Sequence, residues 1–277
     1  MCELFGLSSD RPVQPDELLC RFGARGGETA DNPDGWGLAV LEGAAFRLVK
    51  EPLPAARSPR FRELCSRSRS TLILGHVRKA NPPTARVLAN THPFRRVCCG
   101  REWVFAHNGI LPDTAALADA RAASLCTASG ETATAPSLAR GPRLDPIGDT
   151  DSEHAFCVVL DRIAMVFPAV GAAIGRDWFD ALAGVVETLA SLGRFNFLMS
   201  DGEHLIAYGH DRLHVLAGAG SAVLATEPLT ADPRWVAFAP GELRVYRRGT
   251  QTARFLTHPH PAIATPPAAS DRRPTRS

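Results

Sequence analysis

The second residue of the chain is a cysteine, in the opening sequence MCELFG. Removal of the initiator methionine, which a small second residue favours, would leave Cys2 with a thiol and a free α-amine on the same residue. An α-amine has a pKa of about 7.7 to 8.0, so it can accept a proton near neutral pH. Cys2 therefore combines a nucleophile with its own general base. A small residue that stands at this position by chance is the alternative interpretation.

Other groups that could do chemistry follow apolar segments of strand length. Arg78, in GHVRKAN, ends one such segment, and its guanidinium can hold a carboxylate through two hydrogen bonds. Asn108 and Gly109 end another, and a side-chain amide beside a backbone N–H can stabilise an oxyanion. Asp151 begins a predicted helix, where it can bind an ammonium group or complement the helix dipole. Taken alone, these features are more common as a surface charge, an Asn-Gly turn and a helix start.

The elements that must position these groups are strands and helices in separate layers, which is typical of an α+β fold. Apolar residues at spacings of three and four predict helices over 15–22, 152–163 and 178–192. Thr150-Asp151-Ser152-Glu153 has the form of a capping box at the start of the second helix. Short apolar segments bounded by Gly, Asp and Pro predict ten strands, over 3–7, 36–41, 46–49, 71–77, 103–108, 195–200, 205–208, 213–217, 222–226 and 243–246.

Composition excludes several classes of function. The formal net charge is +2 and the arginines are dispersed, so we expect no nucleic-acid partner. Neither a signal peptide nor an apolar stretch of membrane-spanning length is visible, which predicts a cytoplasmic protein with no membrane partner. The seven cysteines are odd in number and lack CxxC spacing, which argues against a disulfide framework and against a structural zinc site. We therefore expect no metal and no organic cofactor.

The domain organisation follows from local composition. One domain is predicted over residues 2–257. Within it, 114–144 is rich in Ala, Ser and Thr and is interpreted as a flexible insertion. Residues 258–277 are rich in Pro, Arg and Ser and are interpreted as a disordered tail.

A series of motifs occurs in a specific order from Cys2 to about Tyr246. In this order and content the chain resembles the class II glutamine amidotransferases, which are N-terminal-nucleophile hydrolases, and in particular their stand-alone YafJ-like group. The motifs are MCELFG, RGG, DGWG, GHVRKAN, NTHPF, FAHNG, GDTDSEHAF, FNFLMSDGEHLIAYG and ATEPLT.

The resemblance implies both a fold and a set of residue roles. The fold would be a four-layer αββα sandwich, with two stacked, mostly antiparallel sheets between layers of helices. Cys2 would be the nucleophile, and Arg78 would bind the substrate α-carboxylate. Asn108 and Gly109 would form the oxyanion hole, and Asp151 would hold the α-ammonium group.

The same resemblance bears on the pocket wall and on the histidines. Gly35 and Trp36 of the DGWG motif would line the substrate pocket, although Trp36 fits a core position equally well. His76, His92 and His107 would orient loops or fill space, because an N-terminal nucleophile needs no histidine base. A catalytic Cys–His dyad is the alternative.

The implied reaction cleaves the γ-amide of glutamine or of a γ-glutamyl compound through a thioester on Cys2. A partner protein could accept the released ammonia. Alternatively, the enzyme hydrolyses γ-glutamyl amides of glutathione-like or ergothioneine-pathway compounds. A non-catalytic glutamine-binding regulatory subunit is the alternative from another class, and the presence of all five site groups together argues against it.

Overall fold

Two antiparallel sheets lie face to face in this computed structural model, which describes residues 2–81, 84–111, 117, 144–166 and 176–258. The seven strands of the first sheet, in spatial order, are β11 (Trp235–Ala237), β9 (His214–Gly218), β10 (Ser221–Ala225), β1 (Glu3–Val13), β4 (Ser70–Val77), β2 (Trp36–Glu42) and β3 (Ala45–Glu51). The six strands of the second are β13 (Thr250–Leu256), β12 (Glu242–Arg247), β8 (His204–Gly209), β7 (Arg194–Ser200), β6 (Arg101–Ile110) and β5 (Phe94–Cys98).

Helices cover the outer face of each sheet. The helices α1 (Asp16–Ala24) and α2 (Pro59–Arg67) pack on the first sheet, while α3 (Asp151–Val166) and α4 (Arg176–Ser191) pack on the second. Side chains alternate along each strand. In β1, Phe5 packs toward α1 and α2, whereas Leu4 packs between the two sheets. The predicted αββα sandwich is therefore confirmed.

All ten predicted strands and all three predicted helices are present. The strands and α-helices that the sequence did not predict are either very short, as β11 with its three residues, or have polar and charged residues among their apolar ones. These are β5, β11, β13 and α2. The sequence of α2, PRFRELCSR, contains three buried residues, Phe61, Leu64 and Cys65, among several charged ones. Its start is marked by Ser58, whose hydroxyl accepts a hydrogen bond from the N–H of Phe61 at 3.0 Å.

The capping box at the start of α3 is only half formed. The Thr150 hydroxyl accepts the hydrogen bond of the Glu153 N–H at 3.2 Å, as predicted. The Glu153 carboxylate does not return this bond. It accepts from the N–H of Gly148 at 2.7 Å and forms a buried ion pair with Arg96. This ion pair attaches the start of α3 to β5.

The predicted insertion over 114–144 and the predicted tail over 258–277 lie almost entirely outside the described residues. Leu117 and Leu144 are described within the first interval, and both pack in the core between the second sheet and its helices. In the part of the chain that the structure describes, no helix is both long enough and apolar enough to span a membrane.

A buried ion pair fixes the beginning of β1. Arg25 Nη1 donates to both carboxylate oxygens of Glu3, at 3.0 and 2.9 Å, and Arg25 Nη2 donates to the Pro228 carbonyl at 2.9 Å. Burial raises the pKa of Glu3, and the charge of Arg25 opposes that shift. The first residue of β1 is thereby held to the segments that follow α1 and β10.

We expect Glu3→Ala to lower the free energy of unfolding by about 3 kcal/mol, because the substitution leaves the Arg25 charge unpaired in a largely buried position. The matched control is Glu17→Ala, which removes a pair with Arg21 whose side chains are 70% and 54% exposed. Pairs of that kind contribute about 0.5 kcal/mol. Urea denaturation followed by circular dichroism measures both values. Equal, small losses would show that the Glu3 pair does not anchor β1.

Candidate active site

The Cys2 sulfur lies against the backbone of Lys79, just beyond the paired ends of β1 and β4. The Lys79 N–H donates to Cys2 Sγ at 3.2 Å, and the thiol is 3.3 Å from the Lys79 carbonyl oxygen, to which it can donate. Burial raises the pKa of the Cys2 thiol, while the Lys79 N–H and the charge of Arg78 act in the opposite direction. The thiol therefore needs a base, or the nearby positive charge, to ionise at neutral pH.

Arg78 is buried beside Cys2 and is held by its backbone. Its N–H donates to the Gly35 carbonyl at 2.8 Å, and its carbonyl accepts from the Asp34 N–H at 2.9 Å. Only 3% of Arg78 is exposed, and Nη1 donates to the Ala85 carbonyl at 3.2 Å. Among the described residues, no carboxylate forms an ion pair with this guanidinium. It can therefore bind an anion that comes from outside the chain.

Three groups of negative character lie around Arg78. Burial lowers the pKa of its guanidinium, and Cys2, Asp34 and Asp149 oppose that shift in this order. Asp149 is exposed, and its N–H donates to Asn90 Oδ1 at 3.2 Å. Sequence reasoning did not single out Asp149, although it lies in the GDTDSEHAF motif only two residues before the predicted ammonium ligand.

Asn108 reaches from the second sheet to the first through a threonine. Its Nδ2 donates to Thr226 Oγ1 at 3.5 Å, and the same oxygen accepts from the Leu4 N–H at 2.9 Å. The Asn108 carbonyl accepts from Nδ2 of Asn196, a fully buried residue, at 3.1 Å. Thr226 and Asn196 therefore position Asn108 relative to β1. Sequence reasoning assigned neither a role, although the motifs ATEPLT and FNFLMSDGEHLIAYG contain them.

Gly109 occupies a position that only glycine fits. It pairs with Phe195 in the β6–β7 ladder. A Cβ atom on Gly109 would lie 1.8 Å from the Arg194 carbonyl oxygen and 2.5 Å from His107 Nε2. Any side chain would therefore force β6 and β7 apart next to Asn108.

The Asp151 carboxylate connects the end of β6 with the start of α3. Its Oδ2 accepts from the N–H of Leu111 at 2.7 Å, and its Oδ1 accepts from the N–H of Ser152 at 2.7 Å. Leu111 is two residues beyond Gly109, so Asp151 stabilises the segment that carries the predicted oxyanion donors. The Ser152 hydroxyl also donates to Oδ1, at 3.1 Å, whereas Oδ2 keeps a lone pair that can accept from a substrate ammonium group.

The three histidines of the motifs form a buried, uncharged cluster. The rings of His76 and His92 stack with their centroids 4.2 Å apart, and His76 Nε2 donates to the His107 carbonyl at 3.1 Å. Burial lowers the pKa of His76 to about 3 and that of His92 well below its usual value. His107 lies between Ser152 Oγ and the Arg194 carbonyl. In the described residues none of these rings contacts the Cys2 sulfur, so the geometry gives no support to a Cys–His dyad.

Gly35 and Trp36 are adjacent in the chain but face different surroundings. Gly35 has φ +147°, and its carbonyl accepts the Arg78 N–H, so this glycine lies beside the backbone of Arg78. Trp36 is fully buried, with its ring edge-on to Phe61 at 5.0 Å and Nε1 donating to Glu51 Oε2 at 3.1 Å. Its side chain faces α1 and α2, because it shares this face of β2 with the other residues of the helix-covered core. This position fits the core interpretation that the sequence left open for Trp36, and a role in the pocket wall stays a prediction.

One group of possible metal ligands lies away from these residues. Within the described ranges, ligand atoms of Asp201, Glu203 and His204 lie within 4.8 Å of one another. Arg101 Nη1 is 2.7 Å from the Asp201 carboxylate and 3.3 Å from that of Glu203. A guanidinium in this position repels a cation, so we interpret the group as an ion-pair network.

Comparisons with known proteins identify the family of the chain. The model of the class II glutamine amidotransferase family matches residues 1–220 and 217–270. YafJ of Escherichia coli strain K12 is 31% identical over 275 residues, which cover 90% of this chain and 98% of YafJ. The γ-glutamyl-hercynylcysteine sulfoxide hydrolase of Mycobacterium tuberculosis strain H37Rv is 31% identical over 206 residues, which cover 74% of this chain and 71% of that enzyme.

A solved structure shows the same fold. The crystal structure of a predicted glutamine amidotransferase from Pseudomonas aeruginosa PA01 superposes with a TM-score of 0.61 at 28% identity, and the match covers 91% of this chain and 100% of that one. Sequence and fold thus agree over almost the same residues. The chain is accordingly an enzyme of the class II glutamine amidotransferase family, with the fold of the N-terminal-nucleophile hydrolases.

Proposed function

We propose that this enzyme hydrolyses the γ-amide of glutamine or of a γ-glutamyl compound through a γ-glutamyl thioester on Cys2. One observation carries the proposal. The Cys2 sulfur contacts the backbone of Lys79, the residue next to Arg78, whose buried guanidinium forms no ion pair with a carboxylate of the described chain. A thiol and a guanidinium so arranged suit a substrate with a carboxylate near an electrophilic carbon.

Substrate binding would use the glutamyl end, which all candidate substrates share. Arg78 would hold the α-carboxylate. The bonds to Gly35 and Asp34 fix its backbone, and the bond from Nη1 to the Ala85 carbonyl holds the guanidinium while leaving its other N–H groups for substrate. Asp151 would accept from the α-ammonium group through Oδ2, which receives only the Leu111 N–H from the described chain. Gly35 would allow the substrate to approach the backbone closely.

In the first chemical step, the Cys2 sulfur would attack the carbonyl carbon of the γ-amide. The carbonyl oxygen would then carry negative charge, which Asn108 Nδ2 and the Gly109 N–H would stabilise. Collapse of this intermediate breaks the C–N bond, releases the amine and leaves the thioester. Water hydrolyses the thioester to glutamate and regenerates the thiol.

The α-amine of Cys2, after removal of Met1, would carry the protons. It would take the thiol proton during attack and give it to the leaving amine. The buried histidine cluster supports this assignment, because the pKa of His76 is lowered to about 3 and its Nε2 is bonded to the His107 carbonyl and not to the thiol. A base on the nucleophilic residue also fits a site where burial raises the thiol pKa.

The amine that leaves is the open part of the proposal. Ammonia is the product if glutamine is the substrate, and a partner protein would then be the acceptor. The similarity to a γ-glutamyl-hercynylcysteine sulfoxide hydrolase favours a second candidate, a γ-glutamyl compound with a larger amine. Arg78 and Asp151 read only the glutamyl end and do not distinguish the two.

The test of the proposal is covalent labelling by 6-diazo-5-oxo-L-norleucine, a glutamine mimic that alkylates such thiols. We expect the intact mass to show loss of Met1 and one adduct, located on Cys2, which excess glutamine protects against. A protein that retains Met1 would lack the proposed base, and adducts on other cysteines would show that Cys2 is not the activated thiol. Release of glutamate from glutamine, γ-glutamylcysteine and glutathione then compares the leaving amines.

Asn108→Ala should reduce kcat by ~10²–10³ with little change in KM, because it removes one donor to an oxyanion that exists only in the transition state. Steady-state kinetics with the best substrate of the panel measures this, and thermal unfolding verifies that the variant folds. An equal rise in KM with unchanged kcat would mean that Asn108 binds the ground state instead.

Arg78→Lys should slow labelling by the glutamine mimic about tenfold to hundredfold, since a lysine keeps the charge but cannot form the paired hydrogen bonds to a carboxylate. Iodoacetamide has no α-carboxylate, so its rate of reaction with Cys2 should change little. Arg86→Lys is the matched control, because Arg86 is 68% exposed and pairs with Asp34. Parallel losses with both reagents would indicate a general effect on the thiol and not recognition of the carboxylate.

A further inference from the structure

Two adjacent cysteines meet at the turn between β5 and β6. Cys98 is the last residue of β5, and Cys99 precedes Gly100 in the turn. Their sulfur atoms are 3.3 Å apart, which is within hydrogen-bond distance for sulfur. The mechanism proposed above uses neither residue.

The backbone of the turn brings the two thiols together. Neighbouring residues in a strand point to opposite faces. Cys99 departs from this pattern, since its φ of 55° lies in the left-handed region, which non-glycine residues seldom occupy. The conformation ends the strand and directs the Cys99 sulfur toward that of Cys98.

The two thiols differ in how accessible they are to solvent. Cys98 is 8% exposed and packs in the core under α3, whereas Cys99 is only partly buried. The hydrogen bond between them lowers the pKa of Cys99 and raises that of Cys98. Cys99 is thus the more accessible and the more readily ionised thiol, and Cys98 is its buried neighbour.

We propose that Cys98 and Cys99 are a peroxide-reactive redox pair that closes to a disulfide between adjacent residues. The inference is independent of the proposed function, because the pair lies at the β5–β6 turn beside the core of the second sheet, whereas Cys2 lies at the end of the first sheet. An accessible thiolate beside a second cysteine is the arrangement of redox-sensing thiols.

The reaction has two balanced steps with hydrogen peroxide as the oxidant. The Cys99 thiolate attacks one peroxide oxygen, the O–O bond breaks, and hydroxide leaves and is protonated to water. Cys99 is now a sulfenic acid. The Cys98 sulfur then attacks the Cys99 sulfur, the S–O bond breaks, and the leaving hydroxide takes the Cys98 proton to form a second water.

The product should be easy to reduce. Adjacent Cα atoms are about 3.8 Å apart across a trans peptide bond. Disulfides usually join Cα atoms that are at least about 4.4 Å apart, so this one would be strained. Strained disulfides are the labile ones, and a small thiol such as glutathione should reopen the ring.

Tryptic mapping tests the proposal on the full-length protein, because Arg96 and Arg101 flank the pair. Cleavage there releases residues 97–101, a peptide that contains Cys98 and Cys99 and no other cysteine. After peroxide treatment at neutral pH and blocking with N-ethylmaleimide, we expect this peptide to be two hydrogens lighter and unlabelled. Reduced glutathione should restore double labelling. Oxidation of the exposed Cys20 shows that the peroxide treatment is sufficient, and a 97–101 peptide that is still doubly labelled under those conditions would overturn the proposal. A sulfinic acid on Cys99 would overturn it as well.

Single variants test the order of the two steps. In Cys98→Ser the sulfenic acid on Cys99 cannot be resolved, so dimedone should label Cys99. In Cys99→Ser the remaining thiol is buried, and it should react ~10-fold more slowly with peroxide. Cys20→Ser is the control, since Cys20 lies exposed on α1 and its loss should leave the 97–101 result unchanged. Equal peroxide rates in the first two variants would contradict the assigned roles.

Discussion

Pairing of β1 on both of its edges is the constraint on which the site depends. β1 lies between β4 and β10, with Glu3 opposite Val77 and Phe5 opposite Ala225. A slip of one residue would exchange the faces of every side chain in the strand, so that Phe5 would leave the helix-covered core. The cores on both faces therefore determine where Cys2 lies, although Cys2 itself contributes little to them.

The second constraint is the packing of the two sheets against each other. Asn108 belongs to β6 in the second sheet, and the Thr226 hydroxyl that it contacts also binds the Leu4 N–H in the first. The Thr226 hydroxyl therefore connects the two sheets beside β1. Asn196 donates to the Asn108 carbonyl, and Asp151 accepts from the N–H of Leu111, two residues beyond Gly109. The proposed oxyanion donors are thus positioned before substrate arrives, as electrostatic stabilisation requires.

Burial explains why the histidines of the motifs are unsuited to acid–base chemistry and why the tryptophan packs in the core. His76 and His92 stack in an interior where charge is costly, and they remain neutral. Trp36 is hydrogen-bonded and packed under α2. These residues belong to the buried interior, and the residues proposed for the chemistry lie at or near the ends of strands. The thiol pair at the β5–β6 turn is another such position.

The sequence by itself determined the pattern of strands and helices, because alternation and helical spacing are local properties. It also determined that Cys2, Arg78 and Asn108 lie at or near strand ends. Elements with few apolar residues, such as α2 and β5, lacked that local signal. Only the tertiary structure decided the partners: the Cys2–Lys79 contact joins residues 77 apart, and the Leu4–Thr226 contact joins residues 222 apart. Such contacts depend on which strands pair and which sheet faces meet, and no local pattern records that choice.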